Sequence, residues 1–181
     1  MHNTPEELLH VLDAAVDDVL DAGIRALLCT CFTGPQDHVF FQRRYFMEQP
    51  AHRWLIWNRD KSGLAAHIAV HEKQIETGGS IHRIAGVAEV CVHPDWRGGG
   101  VVKHILAAMH PRLARNGLVY SVLFGSSKFY ASSGYAPVAN LSLDEETPCE
   151  GIRRVPAEVL VRPLAGIPWP ADHVHLIGPR F

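Results

Sequence analysis

Apolar residues recur at Leu9, Leu12, Val16, Val19 and Leu20, a spacing that predicts an amphipathic helix. Thr4-Pro5-Glu6-Glu7 stands where its start belongs. Thr4 caps, Pro5 suits the first turn, and Glu7 occupies the capping-box position. Gly23 is expected to interrupt this helix, with a second segment through Ile24, Leu27 and Leu28 that Gly34-Pro35 stops. His38 to Glu48 reads as another short helix, anchored by Phe40, Phe41, Tyr45 and Phe46. The period then shifts toward that of extended chain. Arg53–Trp57, Leu64–Ile75 and Ile81–His93 read as strands separated by the short glycine-bearing turns Asp60-Lys-Ser-Gly63 and Thr77-Gly-Gly-Ser80. Such turns predict an antiparallel meander.

Helical spacing returns at Val102, Ile105, Leu106, Met109 and Leu113. Pro111 should kink or restart this helix, and Asn116-Gly117 should end it. Leu118–Phe124 reads as a buried strand parallel to its predecessor, because a helix connects the two. Ser126–Ser133 predicts a short helix closed by Gly134. Tyr135–Leu143 and Val155–Leu164 predict closing strands around a solvated acidic loop at Asp144-Glu-Glu. The tail, with Pro163, Pro168, Pro170 and Pro179, is expected to be irregular and packed across the domain. The element order predicts an α+β fold with a mixed, mostly antiparallel sheet, formed by one domain over residues 1–181.

Composition narrows the classes. A chain of 181 residues with 47% hydrophobic and 20% charged residues is of ordinary globular type. A formal net charge of −2 gives no footprint for nucleic acid or an anionic membrane. No apolar run approaches the ~20 residues that span a bilayer. Met1-His-Asn-Thr-Pro-Glu-Glu lacks the basic region of a secretory leader, so a cytoplasmic protein is expected. Cys29, Cys31, Cys91 and Cys149 fit neither a zinc ribbon nor a disulfide framework. His67 with His71 and His173 with His175 can each face one way on a strand, but no third ligand is evident and no metal is expected.

The chemistry concentrates in Val87-Ala-Glu-Val-Cys-Val-His-Pro-Asp-Trp-Arg-Gly-Gly-Gly-Val-Val102. This order is strand, proline turn, glycine-rich loop and helix start. Glycines allow close backbone approach, and the first free N–H groups of the helix face the same place. That favours a phosphate, against the alternative of a ligand-free turn. The loop lacks the Lys-Ser/Thr of a P-loop, and Gly98, Gly99 and Gly100 with Lys103 do not supply G-x-G-x-x-G.

Arg97 through Val102 resembles the Arg/Gln-x-x-Gly-x-Gly/Ala signature of the GNAT superfamily of N-acetyltransferases, and Val92-His-Pro-Asp-Trp resembles its lead-in. Val102 departs from the usual Gly or Ala. Leu123-Phe-Gly-Ser-Ser-Lys-Phe-Tyr-Ala-Ser-Ser-Gly-Tyr135 resembles the family's second motif through Phe129, Tyr130, Gly134 and Tyr135. The resemblance is strongest over Ile81–Val138. It implies a three-layer fold, with the central sheet flanked by helices, and acetyl-CoA as co-substrate. It implies that the amides of Arg97, Gly98, Gly99, Gly100, Val101 and Val102 hold the pyrophosphate. The backbone of Val90, Cys91 and Val92 would pair with the pantetheine arm, and Ser126 either meets the pantetheine or caps its helix.

It also implies that Tyr130 is the general acid for the departing thiolate, against the alternative of a core aromatic. Glu89 is the only acid on its strand, and alternation would place it with Val87, Cys91 and His93. Partial desolvation would suit it to act as base, and pairing with His82, Arg83 or His71 is the alternative. The expected activity is acetyl transfer to a small-molecule amine by a monomer or homodimer that binds no nucleic acid and no membrane. An aminoglycoside-type enzyme is second, on the resemblance of Asp95-Trp-Arg-Gly, and a non-catalytic acyl-CoA-binding module is third.

Overall fold

In the computed structural model, residues 7–147 and 151–181 are described. The strands are β1 (Leu8–Leu12), β2 (His52–Trp57), β3 (Leu64–Thr77), β4 (Ser80–Val92), β5 (Tyr120–Leu123), β6 (Ala136–Thr147), β7 (Gly151–Pro163) and β8 (Val174–Ile177). The helices are α1 (Asp18–Cys31), α2 (Val101–Arg115) and the short α3 (Ser127–Tyr130). The chain forms two compact units, Met1–His71 with Ala88–Met109, and Glu72–Val87 with His110–Phe181.

In the first unit β1 pairs antiparallel with β2, and β2 with β3, in registers such as Leu9↔Leu55 and Leu55↔His67. The amide of His93, just past β4, donates to Ala65 O at 2.9 Å. One face of α1 buries Leu20, Ile24, Leu27 and Leu28 against Phe40, Leu55, Leu64 and Cys91. Each such aliphatic side chain contributes ~1.5–3 kcal/mol relative to exposure. Asp17 caps α1, its Oδ1 accepting from Leu20 N at 2.8 Å.

The N-terminal helix expected from Leu9, Leu12 and Val16 is not formed. Its start at Thr4–Glu6 lies outside the described residues. Leu8–Leu12 is instead an extended strand on the free edge of β2. Apolar spacing over so short a stretch suits either element, and the ladder with β2 decides between them. The helix begins later, at Asp18, and runs through Gly23 to Cys31. The short helix expected over His38–Glu48 is a 3-10 segment at Pro35–Phe41 followed by irregular chain.

In the second unit the strand order is β4-β5-β7-β6-β8. β5 lies parallel to β4, with Ile84↔Tyr120 through Val87↔Leu123 in register, as the intervening helix requires. β7 is antiparallel to both β5 and β6. Ile75, Ile84, Tyr120, Val122, Leu141, Val159 and Val161 build its core. α2 runs uninterrupted through Pro111, so it does not restart there.

Two further expectations change. Asp144-Glu-Glu is not a loop but continues β6, with Asp144↔Arg154 and Glu145↔Arg153 as opposite-charge cross-strand pairs. The tail is not wholly irregular. Val174 and Leu176, 0% and 1% exposed, enter the core on β8, which is parallel to β6 and antiparallel to the end of β3. Trp169 Nε1 donates to Asn140 Oδ1 at 2.8 Å, and Tyr120 OH to Pro168 O at 2.9 Å, which ties down the proline-bearing stretch.

Candidate active site

The glycine loop leaves β4 through a 3-10 turn at Pro94–Trp96 and enters α2. Gly98 and Gly100 sit at φ +82° and +71°, the left-handed region that favours glycine. A Cβ at either position would meet nothing within 4 Å. Backbone conformation and not crowding therefore calls for these glycines, and the space over the loop is open. Gly100 O accepts the first α2 bond, from His104 N at 3.0 Å. The N–H groups of Val101, Val102 and Lys103 precede that bond and have no intrahelical acceptor. Exposed left-handed glycines followed by free amides at the start of a 15-residue helix fit a phosphate group. Val101 is buried and Val102 half-buried, so Val102 is partly accommodated in the packing of α2.

Arg97 turns back toward its own strand, with Nε donating to Val92 O at 3.1 Å. The same carbonyl accepts from Cys31 Sγ at 3.4 Å. The Val92 C=O, expected to serve the pantetheine, thus already has partners within the protein. Cys91 is buried and Val90 half-buried. The hydrogen bond from Cys91, opposed by burial and aided by Arg97, pulls the Cys31 thiol down to about 6.

Glu89 adopts φ +50°, unusual for any residue but glycine. The left-handed turn breaks the strand's alternation, so the expected sharing of one face with Val87, Cys91 and His93 does not follow. Its carboxylate pairs with none of His82, Arg83 or His71. Oε1 accepts from Phe46 N at 2.8 Å and Oε2 from Arg53 Nη1 at 3.3 Å. The side chain is 6% exposed. Burial pushes its carboxyl up to about 7, against the opposing pull of Arg53.

Behind Glu89 lies a buried polar network that the sequence pattern did not announce. Arg53 Nε pairs with Asp13 Oδ1, Nη1 donates to His67 Nε2 at 2.8 Å, and Nη2 donates to Arg44 O at 2.8 Å. Asp13 also accepts from Arg44 Nε at 2.9 Å. The one available signal was Arg53 itself, a charge directly abutting the apolar run Trp54-Leu-Ile-Trp57. Each histidine of the two pairs has a polar partner within the protein. His67 Nδ1 contacts Glu89 O at 3.0 Å, His71 faces Glu48 at 3.5 Å, and Ser142 Oγ lies 2.9 Å from His173 and 3.1 Å from His175. Among the described residues no group of three or more His, Cys, Asp or Glu side chains converges on one point.

In the second unit, Tyr130 ends α3 and packs edge-on against Tyr135, ring centroids 5.9 Å apart. A Cβ on Gly125 would lie 3.0 Å from Tyr130 Cε2, so glycine there permits the ring's close approach. Burial raises the Tyr130 hydroxyl above its ordinary range. The hydroxyl of Tyr135 is 3.0 Å from His110 Nε2 and 2.6 Å from Ser121 Oγ. Ser126 holds the N-cap position of α3, but its side chain makes no cap bond, so the capping role expected for it is not filled.

The family model of the acetyltransferase (GNAT) domain matches residues 17–138, a span that takes in both motifs. The chain belongs to the GNAT acetyltransferase family. Its fold is that of GNAT proteins. A GNAT family N-acetyltransferase (YhbS) from Escherichia coli, solved in complex with CoA, superposes with a TM-score of 0.63 at 17% identity, over 97% of this chain and 93% of that one. Escherichia coli ElaA gives 0.58 at 15% identity, over 86% and 98%. An acyl-CoA N-acyltransferase from Pseudomonas aeruginosa gives 0.56 at 14%, over 86% and 98%. No curated protein matches the chain. Among the described residues no helix of this GNAT chain is long and apolar enough to cross a membrane.

Proposed function

We propose that this GNAT chain is a cytoplasmic N-acetyltransferase that works as a single domain and moves acetyl from acetyl-CoA directly to a small-molecule amine. The observation that carries the reading is Glu89, a buried carboxyl poised at about 7 on the strand that leads into the glycine loop. A general base works best when its pKa lies near the operating pH. The left-handed Gly98 and Gly100 and the free amides opening α2 support anchorage of the pyrophosphate.

Acetyl-CoA supplies an acetyl thioester. Glu89 takes the proton that an ammonium must lose before its nitrogen can attack. The C–N bond forms, the C–S bond breaks, and Tyr130 gives its phenolic proton to the departing thiolate. The second proton the nitrogen sheds on becoming an amide passes through solvent to restore the Tyr130 phenol. Desolvation of Tyr130 strengthens its hold on that proton until the thiolate appears. The acceptor is read as a small amine, with the aromatic chain around Phe40, Phe41, Tyr45 and Phe46 supporting its side of the site. The segment's own carboxylates are Glu48 and Asp37, and Asp13 and Asp21 are already paired with Arg44, which leaves little negative charge for a polycationic aminoglycoside.

Thiol release from acetyl-CoA against a panel of primary amines tests the reading. Turnover with at least one amine, a loss of ~10²-fold or more in Tyr130→Phe, and a raised melting temperature with CoA are expected. CoA binding without turnover on any amine would instead make this a non-catalytic acyl-CoA-binding module. A melting temperature unmoved by saturating acetyl-CoA would overturn the ligand itself.

A further inference from the structure

We infer that Arg53 and His67 are positioning residues that clamp Glu89 at two points, Arg53 holding its carboxylate and His67 its backbone carbonyl. The inference rests on the reading of Glu89 as the base. It deepens that reading by naming what keeps the base in place.

The clamp follows from counting donors. Arg53 and His67 are both 0% exposed. The Nη1 group of Arg53 carries two hydrogens. One reaches His67 Nε2 at 2.8 Å and the other Glu89 Oε2 at 3.3 Å. His67 Nε2 is therefore an acceptor. A neutral imidazole has one donor and one acceptor, so Nδ1 carries the proton and donates to Glu89 O at 3.0 Å. Burial and the neighbouring Arg53 hold the His67 ring at about 3, which keeps it neutral and preserves this tautomer. A single guanidinium nitrogen thus governs both ends of Glu89.

The backbone of Glu89 gives the clamp its purpose. A non-glycine residue in the left-handed region persists only where its surroundings over-determine it. Here the carbonyl is tied by His67, and the carboxylate by Phe46 N and Arg53. The charged and titratable groups around the carboxyl are Arg53, Asp13, His67 and Cys91. Asp13 pairs with Arg53 Nε, so one guanidinium faces two carboxylates. The contact to Glu89, at 3.3 Å, is longer than that to His67, at 2.8 Å. Arg53 therefore orients the carboxylate without fixing it in the ionised state, which leaves Glu89 able to accept a proton and release it. Neither Arg53 nor His67 needs to touch substrate for this.

The test reads Glu89 directly. Carboxyl carbons of 13C-glutamate-labelled protein are titrated by NMR, with the Glu89 signal assigned by its absence in Glu89→Gln. Arg53→Met should move the Glu89 midpoint upward by at least about one pH unit, since a cation is lost while the desolvation stays. Arg53→Lys should return it most of the way. With the best amine of the panel, Arg53→Met should lower kcat by roughly 10- to 100-fold and leave KM for acetyl-CoA within about twofold. A folded Arg53→Met protein with an unmoved Glu89 midpoint and wild-type kcat overturns the clamp.

If Arg53→Met does not fold, the His67 pair decides. His67→Asn keeps an N–H donor near the Nδ1 position and should retain more activity and a more native Glu89 carbonyl shift than His67→Leu. Equal effects of the two overturn the clamp. A fully active Glu89→Gln would sink the base reading, while the carboxyl titration and carbonyl shift would still decide whether Arg53 and His67 hold this residue.

Discussion

Asp13 and Arg53, 40 positions apart, form an ion pair in which neither side chain is more than 1% exposed. The pair ties the turn after β1 to the middle of the unit's pairing ladder, and Arg44 and Gln49 add donors to the same carboxylate. Burial alone would raise the Asp13 carboxyl, but hydrogen bonds from Arg44 and Arg53 outweigh it and hold the group below its ordinary value.

Removing one partner of a buried pair leaves an uncompensated charge and costs ~3–5 kcal/mol. Asp13→Asn should lower the unfolding free energy by about that amount in urea at pH 7. Because the folded carboxyl sits below its unfolded value of 3.8, its stabilisation is complete above that pH and is lost as pH falls below it. Wild type should therefore show an acid loss of stability that Asp13→Asn lacks.

Glu89 has the opposite sign. Its folded carboxyl sits at about 7 against an ordinary 4.5, so its ionisation disfavours the fold as pH rises between those values. The rate depends on the ionised form. The acid limb of kcat/KM should bend near pH 7 and vanish in Glu89→Gln, with a loss of ~10²–10⁴-fold on the plateau. The same variant should be more thermostable than wild type at pH 8 and closer to it at pH 5. A pH–rate profile unchanged by Glu89→Gln would clear Glu89 of the base role.

Cys31 should alkylate early. Its thiol is pulled to about 6 by Cys91, against burial and with help from Arg97 and His93, while its contact to Val92 O favours the protonated form. The thiolate is the nucleophile, so iodoacetamide labelling of Cys31 should hold most of its alkaline rate down to about pH 6.5. Peptide mapping after timed quenching reads this rate. Arg97→Gln removes a nearby cation and should shift the labelling profile to higher pH.

The loop glycines separate conformation from packing. Alanine at Gly98 or Gly100 meets no steric neighbour but must adopt a left-handed backbone, at a cost of roughly 1–2 kcal/mol. The cost falls on the exposed loop. Gly100→Ala should therefore weaken CoA binding about tenfold by calorimetry, while the melting temperature of the free protein moves by only a few degrees. Equal CoA affinity in wild type and Gly100→Ala would argue against this loop as the pyrophosphate site.

Several elements were legible because their signals are local. The turn glycines, the short apolar run Trp54–Trp57, the spacing Ile105-Leu106-Met109-Leu113 and the connecting helix that makes β5 parallel to β4 each act over a few residues. Other elements were misread where one short pattern suits two partners. Leu8–Leu12 satisfies a helical stripe but lies extended because β2 presents an open edge. Asp144–Glu146 has a loop's composition but continues β6 because Arg153 and Arg154 stand across from it.

The sequence by itself determined the glycine-rich turn into α2, the family's two motifs and the choice of Glu89 as the only acid on its strand. These depend on residue types at fixed spacing, and backbone geometry follows from them directly. Only the tertiary structure decided what surrounds Glu89. Its left-handed turn, its burial and its partners Arg53, His67 and Phe46 join segments far apart in the chain. A carboxyl's proton affinity depends on desolvation and nearby charge, and neither is written in the order of residues along a strand.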